Sequence, residues 1–101
     1  MKVILCNAPL DQAALLARHV IESRLAACVN IRSPVTSIYR WQGELCEEQE
    51  ATLVIKVASA KAAALRDALV QAHPYDVPEV VCLTVEETLS HAQYWAWVEA
   101  Q

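Results

Sequence analysis

A single glycine, Gly43, stands among 101 residues, and that scarcity removes several classes of activity at once. Phosphate-binding loops and dinucleotide-binding turns need glycines at fixed spacing so that backbone can approach a phosphate closely, and neither pattern can be built from one. Ser33, Ser37, Ser59 and Ser90 lie in no nucleophile elbow. With one glycine and four prolines there is no room for a flexible linker or a low-complexity tract, so residues 1–101 read as one ordered domain. Phenylalanine is absent altogether. Sheets that bind RNA stack bases on aromatics of their first and third strands, and neither Val3-Ile4-Leu5 nor Leu53-Val54-Ile55 offers one.

Basic charge is also sparse. Eight Lys and Arg stand against twelve Asp and Glu, a net charge of −4 with the cations scattered, which excludes nucleic acid and an anionic membrane surface as expected partners. No apolar run approaches the ~18 residues of a membrane span. The opening Met1-Lys2-Val3-Ile4-Leu5-Cys6 is shorter than a signal peptide's apolar region of about 7–15 residues plus its cleavage site, so the expected compartment is the cytoplasm. Cys6, Cys28, Cys46 and Cys82 include no C-x-x-C pair, so neither a zinc ribbon nor a redox dithiol is encoded. Cys6-Asn7-Ala8-Pro9 likewise lacks the cysteine pair that heavy-metal-transport domains carry after their first strand. Disulfides are disfavoured in a cytosol, and each cysteine reads first as a small buried apolar residue.

What is present is apolar surface in excess. The hydrophobic fraction is 55%, above the ~45–50% of an average soluble domain, so some of it is expected to bury between subunits. Lys2 to Asn7 reads as a central strand covered on both faces. Asp11 then caps a first helix whose stripe of Ala14, Ala17, Ile21 and Leu25, widened by Leu16 and Val20, runs to about Ala27. From Cys28 to Gln42 the period changes to two, with Val29, Ile31, Val35, Tyr39 and Trp41 expected on one face and Pro34 at an edge or a bulge. Gly43 makes the turn, and alternation resumes after an acidic stretch with Ala51, Leu53, Ile55 and Val57. Ser59 caps a second helix carrying Leu65, Ala68, Leu69 and Ala72, which His73-Pro74 stops. Val80 to Val85 is the fourth strand, and Ser90 with Gln93 forms a capping box for a short third helix.

The order β-α-β-β-α-β predicts an α+β, ferredoxin-like sandwich with strand order 4-1-3-2, helices on one face and an added C-terminal helix. That topology gathers Cys6, Asn7, His73 and Glu79 at one edge and sends Cys28 to the opposite one. About fifteen residues of second strand, at roughly 3.3 Å each, outrun a first strand of about six, so the hairpin overhangs the sheet. A long edge carrying Val35, Ile38, Tyr39 and Trp41 invites pairing with another chain, and a closed homo-oligomer is the natural solution.

His73-Pro74-Tyr75-Asp76-Val77-Pro78-Glu79 is the densest chemistry in the chain, an imidazole, a phenol and carboxylates between two stiffening prolines. It equally suits a shaped helix-to-strand connection. A thiolate from Cys6 and an imidazole from His73 would suit copper or zinc, yet two ligands are too few, and the rest would come from Glu79, water or another subunit. His19 and His91 read as surface residues. A Cys6-His73 nucleophile pair lacks a third group and an oxyanion site, so no enzyme and no organic cofactor is expected.

Arg24-Leu25-Ala26-Ala27-Cys28-Val29-Asn30, Ser37-Ile38-Tyr39-Arg40-Trp41-Gln42-Gly43 and His73-Pro74-Tyr75-Asp76-Val77-Pro78-Glu79, in that order, resemble the CutA divalent-cation tolerance proteins over nearly the whole chain. The resemblance implies a homotrimer like the PII signalling proteins, long hairpins packed between subunits, and an association with copper and other divalent cations. It implies metal ligands at Cys6 and at a histidine pair of which only His73 is present, Ala72 standing in the other place. Asn7, Tyr39, Trp41, Tyr75 and Glu79 are the expected cleft and interface residues. The alternative reading is a PII-like trimeric sensor or scaffold that binds a small anion or a protein partner in intersubunit clefts, with no metal role.

Overall fold

The strand that opens the chain, β1 (Lys2–Ala8), occupies the middle of the sheet in the computed structural model, which describes residues 1–101. The chain continues through α1 (Ala13–Glu22), β2 (Cys28–Trp41), β3 (Glu44–Val57), α2 (Ala62–Ala72), β4 (Val80–Thr84) and α3 (Ala92–Glu99). The sheet order is β2-β3-β1-β4 with every pair antiparallel, the arrangement the sequence predicts. One face of β1 is shut off completely, with Ile4, Cys6 and Ala8 at zero exposure, while Val3, Leu5 and Asn7 on the other face are only half-buried. The expectation of cover on both faces is therefore corrected within the single chain, because α1 and α2 pack on one side only.

The core between sheet and helices is built from Ile4, Leu53, Ile55 and Val57 against Leu16, Ala17 and Val20 of α1 and Leu65 and Leu69 of α2. On α1 the buried stripe is Ala13, Leu16, Ala17 and Val20, at i, i+3, i+4 and i+7; Ala14 and Ile21 face outward, contrary to the expected stripe. Asp11 does not cap this helix. It lies in a turn in which Pro9 O accepts from the N–H groups of Gln12 and Ala13, and Gln12 takes the cap position without a side-chain bond. The helix also stops short of Ala27. Arg24 takes φ +60, and the N–H groups of Leu25 and Ala26 both return to Val20 O, which closes the helix end and aims the chain into β2.

Two further caps differ from expectation. Ser59 opens a short 3-10 turn (Ser59–Lys61), and its N–H and hydroxyl donate to Glu99 of α3 rather than capping α2. At α3 the cap is His91, whose Nδ1 accepts from Tyr94 N–H, while Ser90 donates to Glu86 O, so the Ser90-Gln93 capping box is not made. At the end of α2, His73 takes extended backbone as a residue before proline should.

The hairpin is longer and more completely paired than the alternation suggests. The acidic stretch Glu47-Glu48-Gln49-Glu50 belongs to β3, and pairing with β2 runs to Trp41–Glu44 around Gln42 and Gly43, both with positive φ. The β1–β3 ladder ends at the Ala8–Ala51 pair, so Glu44 to Glu50 and the facing half of β2 project as a two-stranded ribbon, and the molecule measures 44 × 27 × 21 Å. A bulge lies between Arg32 and Val35, where Ser33 and Pro34, joined by a cis peptide, insert one extra residue into the edge strand. Because side chains alternate with period two, that residue reverses the faces. Val29 and Ile31 sit opposite the buried Ile55 and Leu53, but Val35, Ser37, Tyr39 and Trp41 sit opposite Glu50, Glu48, Cys46 and Glu44, on the other side of the ribbon. The single face expected for Val29 through Trp41 is thus split by the bulge.

Candidate functional site

Where the ribbon leaves the sheet, the end of β1, the middle of the hairpin and the loop from His73 to Glu79 enclose a cleft of about 640 Å³. Its wall includes Asn7, Tyr39, Trp41, Tyr75 and Glu79, five of the residues singled out in the sequence. Asn7 arrives on the face of β1 away from the helices, where its side-chain carbonyl accepts from Thr52 Oγ1 at 2.7 Å. Tyr39 and Trp41 come from the ribbon after the bulge, and Tyr75 and Glu79 from the proline-bounded loop. Ser37, Ile38 and Val77 complete the apolar and hydroxyl lining.

Four carboxylates, Glu48, Glu50, Asp76 and Glu79, face this cleft. None is paired with a Lys or Arg, since the ion pairs of the chain are Met1 with Glu99 and Arg66 with Asp67. Glu50 is the unusual one: it is 7% exposed, and its Oε2 accepts from Tyr75 Oη at 2.7 Å. Burial, that hydrogen bond and the charge of Glu50 push the Tyr75 phenol above its ordinary value. Sequence reasoning missed Glu50 because it closes a run of acidic residues that reads as a solvated turn. Its only signal was its place just before the strong alternation that starts at Ala51.

Cys6 and His73 lie behind the cleft wall, not on it. Cys6 points from β1 into the core at zero exposure, its Sγ donating weakly to Asn7 O at 3.8 Å. Burial first, then the charges of Glu79 and Glu50, push its thiol up to about 12, so the thiolate that a metal requires is disfavoured. His73 is 7% exposed, with Nε2 2.7 Å from Asn7 O and Nδ1 accepting from Tyr75 N–H at 3.1 Å. Nδ1 is an acceptor, so Nε2 carries the proton and neither nitrogen keeps a free lone pair. No group of three or more His, Cys, Asp or Glu side chains is placed to hold a metal ion. Cys6, His73 and Glu79 therefore do not fit together as a ligand set in this conformation. His19 is exposed on α1, and Cys28 lies at the opposite end of the sheet, where its Sγ lies 3.9 Å from Asn30 Oδ1.

A four-stranded antiparallel sheet of β-α-β-β-α-β order, two helices on one face and an overhanging hairpin with a cleft at its base define a ferredoxin-like protein of the PII-like kind. The family model of the CutA1 divalent ion tolerance proteins matches residues 2–101, and the chain belongs to that family. It is 41% identical over 98 residues to the divalent-cation tolerance protein CutA of Thermus thermophilus, covering 96% of this chain and 93% of that one. It is 45% identical over 83 residues to human Protein CutA, covering 82% of this chain and 45% of the human protein. Among solved structures, the PII-like protein CutA of Nostoc sp. PCC 7120 in apo form superposes with a TM-score of 0.95 at 38% identity, over 99% of this chain and 95% of that one. No helix is long and apolar enough to cross a membrane.

Proposed function

We propose that this chain serves divalent-cation tolerance as a non-catalytic cytoplasmic homotrimer, and that cations, copper among them, act on it at the cleft through its carboxylates. The observation that carries this reading is the set of four carboxylates, Glu48, Glu50, Asp76 and Glu79, that share one cleft with no cationic side chain to balance them. Cations are favoured there by charge, and among first-row divalent ions a site of oxygen donors holds copper most tightly. One chain supplies too few convergent donors, so water or a neighbouring copy completes the coordination. The trimer is supported by the ribbon, which leaves Ile38 64%, Trp41 49% and Leu45 75% exposed on a free edge. The name of the Thermus relative, a divalent-cation tolerance protein, supports the general role. A small anion, the occupant in the alternative reading, is opposed by the same four charges.

Sedimentation equilibrium at micromolar concentration should give a mass about three times that of the 11.2 kDa chain, and a monomer would defeat the assembly. Calorimetric titration with Cu²⁺ should show binding that Glu79→Gln weakens about tenfold or more while Cys6→Ala leaves it within about twofold. Unchanged affinity in Glu79→Gln would reject the carboxylate cleft.

A further inference from the structure

We infer that His73 is a positioning residue, a neutral latch that fixes the loop and through it the cleft carboxylate Glu50, and that neither it nor Cys6 ligates the cation. The inference rests on the cleft reading above for its cation readout but not for its structural one. The imidazole is bound from both sides with opposite polarity. Nε2–H donates to Asn7 O at 2.7 Å, at the end of β1, and Nδ1 accepts from Tyr75 N–H at 3.1 Å, inside the loop. Its ring lies 4.8 Å, centroid to centroid, from that of Tyr75 at a tilt of 49°, so the ring also packs against the residue whose backbone it holds. Tyr75 then donates its hydroxyl to Glu50 Oε2 at 2.7 Å on β3.

These bonds form one chain across three elements: the end of β1, the loop, and the first buried residue of the ribbon. They account for two groups that are otherwise costly to bury, a histidine and a carboxylate each 7% exposed. A metal at His73 would have to displace either the Asn7 carbonyl or the Tyr75 amide, leaving a part-buried backbone group without its partner, and would loosen the loop whose phenol holds Glu50. Cys6 cannot assist without opening the core, since its side chain is packed there at zero exposure. The placement also fits the presence of Ala72, which is exposed and takes no part in these hydrogen bonds.

Amide substitutions separate a latch from a ligand. Gln places a donor near the position of Nε2 and Asn an acceptor near that of Nδ1, and neither is a good copper ligand. In the full-length protein, hydrogen exchange at the Tyr75 amide should be protected in wild type, protected at least partly in His73→Asn, and about a hundredfold faster in His73→Ala. Cu²⁺ affinity should stay within about threefold in His73→Gln and Cys6→Ala, and fall about tenfold or more in His73→Ala and Tyr75→Phe. Ring ¹⁵N shifts of His73 should report the Nε2–H tautomer with and without Cd²⁺, used as a diamagnetic probe.

If His73→Gln loses as much affinity as His73→Ala, or the ring signals move to those of a metal-bound nitrogen on adding Cd²⁺, the latch is overturned and His73 is a ligand. Equal exchange at Tyr75 in wild type and His73→Ala would overturn it as well. Absence of Cu²⁺ binding in the wild type would defeat the carboxylate-cleft reading alone, because the exchange and tautomer measurements still decide the latch.

Discussion

Cys6 and Asn7 are adjacent in the chain and lie on opposite faces of β1, so the thiol enters the core while the amide joins the cleft. The same alternation sets Glu50 on the cleft side of β3 and Ala51 on the core side. With its thiol pushed up to about 12 and no exposure, Cys6 is expected to resist alkylation. At pH 8, iodoacetamide should leave it unmodified in the native protein and modify it completely in denaturant, as read by mass spectrometry of digested peptides. Native modification at the rate of a free thiol would show that β1 opens at its end.

At the scale of elements, the hairpin carries most of what is distinctive. Gln42 and Gly43 both take positive φ, at 50° and 82°, which is the two-residue turn whose twist matches that of paired strands. A Cβ at Gly43 would meet nothing within 4 Å, so the cost of Gly43→Ala is conformational alone, roughly 1–2 kcal/mol for a left-handed residue. Urea unfolding should show that loss with an unchanged slope, and no loss would mean that the turn has rearranged. The bulge at Ser33-Pro34 is the second device in this element. Pro34 announced it, but the sequence allowed an edge position equally well, and only the register shows that Tyr39 and Trp41 change sides. The three helix starts were misplaced for a related reason. Asp11, Ser59 and Ser90 are all competent caps, and in each case a nearby carbonyl, a distant carboxylate or the next histidine formed the better-placed bond.

For the molecule as a whole, the two ends of the chain are tied together through Glu99, which pairs with the Met1 ammonium and accepts from Ser59 N–H and Oγ. The hydrogen bond from the terminal ammonium, then that from the Ser59 backbone, hold its carboxyl below the ordinary value of about 4.3. A carboxylate held low stabilises the fold above the unfolded value and loses that contribution as pH falls through the folded one. Stability should therefore fall more steeply below about pH 4.3 in wild type than in Glu99→Gln, measured as urea midpoints across an acid series. Parallel curves would show that the clamp adds nothing. The free ribbon bears on assembly at the same scale. Trp41→Ala should weaken the proposed trimer by about 2 kcal/mol or more if the ring anchors a neighbour, and sedimentation with an unchanged dissociation constant would remove it from the interface.

The order of elements, the strand order, the single turn and the overhang of the hairpin were all legible in the sequence. Hydrophobic period, one glycine and the relative lengths of strands are properties of the chain written along itself. What only the tertiary structure decided is which side of each strand faces which partner. The bulge reverses one face of β2, Glu50 turns out to be buried against Tyr75, and both nitrogens of His73 are already taken by Asn7 and Tyr75. Two of those bonds, Glu50 with Tyr75 and Asn7 with His73, join residues 25 and 66 positions apart, and no local pattern encodes a hydrogen bond closed by the meeting of distant elements. The sequence thus placed Cys6, His73 and Glu79 at one edge of the sheet, and the fold put the core thiol, the latched imidazole and the cleft carboxylate in three different environments there.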